Sequence, residues 1–344
     1  MTAASTDQHA SPPLVSPPPV TLAIIAYNQE EFVGAAIAGA LAQDYPNLEI
    51  VLSDDASADA TFEIMTAAAA EYRGPHRILL NRSVQNRGLL RHIYDVVAKS
   101  SGQLLVLGAG DDISLPYRVS ALVAAWQESG ASALGSDWEV IDEHGAVTGS
   151  GSAGPAAMVQ PWFAGNAPVP TLTGATGAYE RTMFEALALP DFPIFAEDFF
   201  FALLLNLRSR PIGYVRRKLV QYRVHGGSLT HRIPGPGELA AHERRNERYA
   251  AQVCDLLDYV EHVAVTGHGI APGYGTPRAL NLARFRADVR HFRFRARWTS
   301  AAPLRRLAEV ARVRSRDQLA WMLPRSLGLG GLGAFKKLRG LIRR

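Results

Sequence analysis

The chain has 344 residues, 47% of them hydrophobic and 20% charged, the balance of a globular protein with a core rather than of a disordered one, and at roughly 100–200 residues per domain it holds one large domain or two smaller ones. Its single cysteine, Cys254, excludes an internal disulfide and most cysteine-based metal clusters, and no apolar run approaches the roughly 18 residues or more that a membrane-crossing helix needs. The formal charge of +4 hides a polarity: from Arg278 onward 18 basic residues face three acidic ones (Asp288, Glu309, Asp317), so the rest of the chain is acidic and the basic end calls for an anionic partner.

Residues 1–19 hold five prolines and little apolar periodicity and read as a disordered leader. They lack the basic flank and apolar centre of a secretory signal. Order is expected from Val20. The unbroken apolar run Val20 to Ala26 reads as a buried parallel strand. After Tyr27-Asn28 comes a helix with Phe32, Ala36, Ile37, Ala40 and Leu41 on one face, broken by Pro46-Asn47. A second strand runs from Leu48 to Leu52 and ends in Ser53-Asp54-Asp55. A helix from about Thr61 to Tyr72, a short strand Arg77 to Leu80 and a helix Leu89 to Lys99 follow. The strand Leu104 to Leu107 ends in Gly108-Ala109-Gly110-Asp111-Asp112.

This alternation predicts an α/β fold with a doubly wound, mostly parallel sheet flanked by helices. Ligands of such sheets sit beyond the carboxyl ends of the strands. Tyr27, Asp55 and Asp112 each lie just past such an end and are expected to share one crevice. Further along, 132–141 reads as a strand and Asp142-Glu143-His144-Gly145 as a turn. Residues 149–170, rich in Gly, Ala and Pro, read as a mobile loop. Helices are expected over Arg181–Leu187 and Glu197–Arg208, a strand over Ile212–Val215, and a helix over Glu238–Val263. Residues 267–277 read as a Gly/Pro linker.

The candidate chemistry lies in four places, each with a plain structural alternative. Asp111-Asp112 suits Mg²⁺ or Mn²⁺, which take a few carboxylate oxygens and complete their shell with substrate phosphate; alternatively the pair caps a helix starting near Leu115-Pro116. Asp55 can accept a hydrogen bond from a base N–H and Tyr27 can stack on that base, or the Asp54–Thr61 cluster is a helix start. Glu197-Asp198, set among Phe195, Phe199, Phe200 and Phe201, suits a general base of raised pKa; the alternative is an exposed first helical turn. His225, before Gly226-Gly227-Ser228, can ligate a metal or touch phosphate, or do neither.

Taken in order and spacing, these pieces resemble glycosyltransferase family 2. Ile25-Ala26-Tyr27-Asn28 and Ser53 to Thr61 resemble the family's opening. Asn86-Arg87-Gly88 and Leu104 to Asp112 resemble its approach to the metal motif. Thr173-Gly174-Ala175-Thr176, Ala196-Glu197-Asp198 and Tyr222-Arg223-Val224-His225 resemble its later blocks. The resemblance covers about residues 20–230 and implies a GT-A fold over residues 20–235. It implies that Asp55 binds the nucleobase beside Tyr27, that Asp111 and Asp112 form the metal motif with Asp112 the direct ligand, that Asp198 is the base with Glu197 beside it, and that His225 sits at the diphosphate or metal. Arg87 or Arg91 would contact phosphate. The implied reaction is an inverting, metal-assisted sugar transfer from a nucleotide-sugar donor to a hydroxyl acceptor. One departure is Ala109, where many members carry a carboxylate. Two competing readings are a non-catalytic nucleotide-sugar-binding scaffold and a nucleotidyltransferase; the acidic loop Tyr27-Asn28-Gln29-Glu30-Glu31 argues against the phosphate loop that the second needs.

Residues 236–344 read as a helical extension with a basic tail. Arg286, Arg290, Arg293 and Arg297 interleave with Phe285, Phe292, Phe294 and Trp298, and Lys336 to Arg344 mixes basic and apolar residues. That pattern suits an anionic membrane surface and a glycan or lipid-linked acceptor, placing the protein in the cytoplasm at the inner face of the membrane. Packing on the acidic body is the alternative, and a nucleic-acid partner is disfavoured.

Overall fold

The computed structural model describes residues 16–152, 162–163, 172–194, 196–228 and 239–298. Strands β1 (Val20–Ala26), β2 (Leu48–Asp54), β3 (Arg77–Arg82) and β4 (Leu104–Ala109) are parallel neighbours in the order β3-β2-β1-β4. They are joined by α1 (Val33–Leu41), α2 (Thr61–Glu71) and α3 (Leu89–Lys99). After β4 come β5 (Ile113–Ser114), α4 (Arg118–Ser129), β6 (Ala133–Ile141) and β7 (Val147–Gly151). A 3-10 turn (Gly174–Thr176), β8 (Ala178–Glu180), α5 (Arg181–Ala186), α6 (Glu197–Leu207) and β9 (Ile212–Arg223) complete the sheet region. The sheet continues β4-β8-β6-β9-β5, with β7 on β6. β8 is antiparallel to both β4 and β6, while β9 runs parallel to β6. The α/β, helix-flanked sheet expected from the sequence is therefore present, parallel in its first half and mixed in its second.

The apolar runs of β1, β2 and β4 are unbroken because helices cover both faces. Val20, Leu22, Ile24 and Ala26 of β1 pack with Ile37 of α1, Met65 of α2 and Leu122 of α4. Ala23 faces the other way and joins Val51, Leu105 and Leu107 against Ile93 of α3, Met183 of α5 and Leu203 of α6. The same second core takes in α7 (Leu239–Thr266) and α8 (Leu282–Arg295) through Leu257, Val260 and Phe285. Each such side chain, fully buried, contributes roughly 1.5–3 kcal/mol.

Four sequence expectations are corrected. The leader is not free up to residue 19: Pro17, Pro18 and Pro19 carbonyls accept hydrogen bonds from Asn47, Tyr45 and Gln103, which carries the chain into β1; residues 1–15 lie outside the described residues. The stretch 149–170 is not simply a loop. Its start belongs to β7, and Trp162 and Phe163 are buried, the Trp162 indole donating to Asp288 at 2.7 Å and meeting Phe285 edge-on. Residues 267–277 are docked: Ala188 and Ala271 exchange backbone hydrogen bonds with Gly269 and Ala186. Finally, Phe285, Phe294 and Trp298 are buried, and Arg286 and Arg293 pair with Glu261 and Asp258 of α7. That part of the basic extension packs on the protein; residues 299–344 lie outside the described residues. Among the described residues no helix is long and apolar enough to cross a membrane.

Candidate active site

Register brings the strand ends together. Ala26 of β1 lies opposite Asp54 of β2, and Ile25 lies opposite Ala109 of β4. The first residues past the sheet stay in contact: Asp55 N donates to Ala26 O at 3.0 Å, and Gly110 N donates to Ile25 O at 2.9 Å. Tyr27, Asp55 and the Gly110–Asp112 turn thus share one edge, as the topology requires. A side chain at Gly110 would put its Cβ 2.3 Å from Gln29 Oε1 and 2.6 Å from Ala26 Cβ, so only glycine allows this approach.

The loops after β1 and β2 are stitched together. Asn28 N donates to Ser57 Oγ, Ala58 N to Asn28 Oδ1, Gln29 N to Thr61 Oγ1 and Ala60 N to Glu30 Oε2. Tyr27 stands half-exposed (48%) on this platform. The two aspartates at the end of β2 divide their work. Asp54 accepts from Ser57 N and Oγ and pairs with Arg82 Nε at 3.3 Å. Asp55, 4% exposed, accepts from the backbone N–H of Arg87 (2.9 Å) and Gly88 (3.0 Å). Ala56 between Asp55 and Ser57 has a left-handed φ of 63°, a strain of roughly 1–2 kcal/mol for a residue with a Cβ. The Arg87 guanidinium lies 3.6 Å from Asp95, and Arg91 donates to Pro190 O, so each has a partner within the protein.

Asp111 and Asp112 cap no helix; α4 starts at Arg118 without a side-chain cap. Asp112 is 4% exposed. Its Oδ1 accepts from Arg223 N at 2.8 Å, while its Oδ2 is buried without a hydrogen-bond partner. Burial, with Asp111 next to it, pushes the Asp112 pKa well above the usual carboxylate range. Asp111 Oδ2 meets His225 Nε2 at 3.2 Å. His225 is held in turn by the Phe32 ring, 4.5 Å between centroids, and by Ser228 Oγ on its backbone N–H. Among the described residues no three His, Cys, Asp or Glu side chains gather as a complete metal cluster. A carboxylate pair with one orphaned oxygen still fits Mg²⁺ or Mn²⁺, which leave most of their shell to water and substrate phosphate.

Two arginines that sequence reading does not single out hold this corner. Arg223, 5% exposed, donates its Nε to Asp111 O and Nη1 to the carbonyls of Asp142 and Glu143, and its guanidinium lies over Phe32. Arg118 is fully buried and donates to Ser114 Oγ, Leu107 O and Ala175 O. Desolvation lowers its pKa to about 10 despite the pull of Asp112. In the sequence Arg118 looks like any arginine at a helix start.

Arg118 also leads to the second acidic pair. Ala175 belongs to the 3-10 turn, and Gly174 N in that turn donates to Asp198 Oδ2 at 3.2 Å. Asp198 Oδ1 accepts from Phe199 N at 2.7 Å. Glu197 and Asp198 form the first turn of α6, but not an exposed one: Glu197 is buried. Desolvation, then Asp198, raises the Glu197 pKa to about 8, and desolvation raises Asp198. A Cβ at Gly174 would fall 2.1 Å from Glu197 Oε1. The geometry therefore places one carboxylate group at the strand ends and a second, desolvated one at α6, linked by Arg118 and a glycine turn.

A sheet of this topology with its acidic residues at the strand ends has the GT-A architecture. TarS 1–349 of S. aureus, solved with UDP-GlcNAc, superposes with a TM-score of 0.53 at 15% identity, over 90% of this chain and 81% of that one. The mannosyltransferase PcManGT from Pyrobaculum calidifontis, solved with GDP-Man and Mn²⁺, gives a TM-score of 0.52 at 18% identity, over 89% and 79%. In sequence, EpsE of Bacillus subtilis is 30% identical over 131 residues, 38% of this chain and 46% of EpsE, so the match spans less than half of that relative's length. The Escherichia coli UDP-Glc:alpha-D-GlcNAc-diphosphoundecaprenol beta-1,3-glucosyltransferase WfaP is 25% identical over 217 residues, 61% of this chain and 79% of WfaP. Residues 21–187 match the family described as Glycosyl transferase family 2. Over that stretch, just under half of its length, the chain is similar to members of the family.

Proposed function

We propose that this protein is a glycosyltransferase that moves a sugar from a nucleoside-diphosphate donor to a hydroxyl acceptor, inverting the anomeric centre, in the synthesis of a cell-surface polysaccharide or glycolipid. The observation that carries the reading is the buried, partnerless Oδ2 of Asp112 beside the Asp111–His225 pair, at the same sheet edge as Tyr27 and Asp55. In this reading Tyr27 stacks on the base and Asp55 accepts its ring N–H. Asp112, with Asp111 and His225 beside it, holds Mg²⁺ or Mn²⁺, which would supply positive charge to the departing diphosphate.

Asp198 takes the proton from the acceptor hydroxyl. The acceptor oxygen bonds to the anomeric carbon as the carbon–phosphate oxygen bond breaks, and the nucleoside diphosphate leaves with the electron pair. The pKa of Asp198, raised by burial, supports the base role, because a more basic carboxylate takes the acceptor's proton more readily. TarS and PcManGT were captured with a UDP-sugar and a GDP-sugar, and WfaP by name uses a diphosphoundecaprenol-linked acceptor; these favour a nucleotide-sugar donor and a glycan or lipid-linked acceptor. For residues 305–344, rich in Lys and Arg, the proposed partner is the anionic inner surface of the membrane.

The test is a thermal-shift screen of UDP-, GDP-, dTDP- and CDP-sugars with Mn²⁺, followed by turnover assays with the donor that binds. A metal-dependent shift that vanishes in Asp112→Asn, with sugar release by the parent protein, supports the reading. Donor binding without release of sugar to any hydroxyl acceptor makes the protein a binding scaffold instead. Co-sedimentation with anionic vesicles across salt concentrations tests the membrane partner; no binding at low salt removes it.

A further inference from the structure

Behind Asp55 lies a buried polar chain that the transfer reaction above does not use. His92, on α3, is fully buried, with Nδ1 3.1 Å from Asp55 Oδ1 and Nε2 hydrogen-bonded to Ser53 Oγ. Ser53 Oγ accepts from Asn81 Nδ2 at 2.8 Å, and Asn81 Oδ1 accepts from Lys99 Nζ. The direction of every bond follows from donor and acceptor inventory. An ammonium only donates, so Asn81 must turn its oxygen to Lys99 and its NH₂ to Ser53. Ser53 Oγ can accept a second bond or donate its own proton, so it does not by itself settle the ring; Asp55 does, because a carboxylate only accepts and Nδ1 faces it at 3.1 Å. A neutral ring with its proton on Nδ1 leaves Nε2 as an acceptor, which takes the Ser53 hydroxyl. Burial does keep the ring neutral, lowering its pKa although Asp55, Asp95 and Asp54 pull the other way.

We propose that His92 is a positioning residue for nucleotide recognition: the polar chain Lys99-Asn81-Ser53 holds its ring with Nδ1 toward Asp55 and so orients that carboxylate for the base. The proposal rests on the nucleotide-sugar reading of the cleft. A carboxylate has about four acceptor positions. The N–H groups of Arg87 and Gly88 take two, and His92 Nδ1, facing Oδ1 at 3.1 Å though off the line of a well-formed hydrogen bond, covers a third. One remains, which a base with a ring N–H, such as uracil, thymine or guanine, can fill and which cytosine or adenine cannot.

Calorimetry with Mn²⁺ and UDP, GDP, dTDP or CDP tests this in the full chain. The wild type binds one of the first three tightest. His92→Asn keeps a donor where Nδ1 stood and stays close to wild-type affinity. His92→Gln keeps the partner of Ser53, loses the donor to Asp55 and weakens binding by about ten-fold, the worth of one charge-assisted bond. Long-range ¹⁵N–¹H spectra of the wild-type protein show His92 as the Nδ1–H tautomer, a readout that needs no variant to fold and no nucleotide to bind. His92 in the Nε2–H form, equal affinities of His92→Gln and wild type, or tightest binding of CDP overturns the proposal alone. A wild-type protein that binds none of the four overturns the nucleotide reading beneath it.

Discussion

His225 Nε2 stands 3.2 Å from Asp111 Oδ2 while Nδ1 of the same ring accepts the N–H of Gly227. A ring that accepts at Nδ1 carries its proton on Nε2 and donates it to the carboxylate. His225 in this state orients Asp111, and it would have to turn or exchange that bond to ligate a metal itself. His225→Ala should therefore weaken Mn²⁺-dependent nucleotide binding by roughly 10–100-fold, the range for partners that orient metal ligands, without abolishing it. Calorimetry with and without Mn²⁺ measures this; unchanged affinity would show that the ring has no part in donor binding.

Asp198→Asn keeps the volume and one of the two acceptors that meet Gly174 N and Phe199 N, but removes the base. Turnover should fall by about 10²–10⁴-fold while the dissociation constant of the nucleotide stays within about two-fold, since no binding group changes. Normal turnover in this variant would remove Asp198 from the mechanism.

Gly174→Ala tests the turn that carries the donor to Asp198. The added Cβ falls 2.1 Å from Glu197 Oε1, so the buried Glu197 carboxylate must swing away or, where its neighbours hold it, the turn must shift. A misplacement on the order of 1 Å can cost roughly 10²-fold in rate. Nucleotide binding, made at the other group of carboxylates, should hardly change. Equal losses in rate and binding would mean that the shift spreads across the whole cleft.

The pH dependence of stability follows from Glu197. Its folded pKa is raised to about 8 from an ordinary 4.5. A carboxyl group raised in this way favours the folded state fully below the ordinary value, and the contribution is lost as pH rises toward about 8. Glu197→Gln, neutral at every pH, should melt close to wild type near about pH 5 and above it near about pH 8.5. Scanning calorimetry at the two pH values checks the sign, and parallel curves would mean that Glu197 ionises freely.

Arg118→Met removes a buried cation that bonds to two carbonyls and a hydroxyl and offsets Asp112. The expected loss is about 3–5 kcal/mol, as for breaking other buried charge arrangements, read from urea unfolding. A loss below about 1 kcal/mol would mean that water replaces the guanidinium.

The first half of the fold is legible because its signals are local. The apolar runs of β1, β2 and β4 end in Tyr27, Asp55 and Asp112, and α3 has the bounds Leu89–Lys99 that its periodicity predicts. Parallel order then puts those three residues at one edge with no further information. What escapes a sequence reading depends on distant partners. Trp162 and Phe163 sit in a Gly/Pro-rich stretch, and the groups that bury them, Phe285 and Asp288, come more than 100 residues later. β9 reads only as the short strand Ile212–Val215 because Arg216, Arg217 and Lys218 interrupt its apolar pattern, yet it runs to Arg223 and pairs with β6 along its length through a bulge. Arg118 and His92 look like ordinary helix residues, and only burial gives them a role.

The docking of α7 against α6 has a consequence for engineering and for evolution. The helix whose first turn holds Asp198 has Leu203, Leu204 and Leu207 in the same core as Leu256, Leu257 and Val260 of α7. Burial, and then the nearby Asp198, raises the pKa of Tyr249, also on α7. The extension is thus a buttress behind the helix that presents Asp198. Swapping it between relatives, or trimming it to simplify expression, would also disturb the footing of the carboxylates at the start of α6.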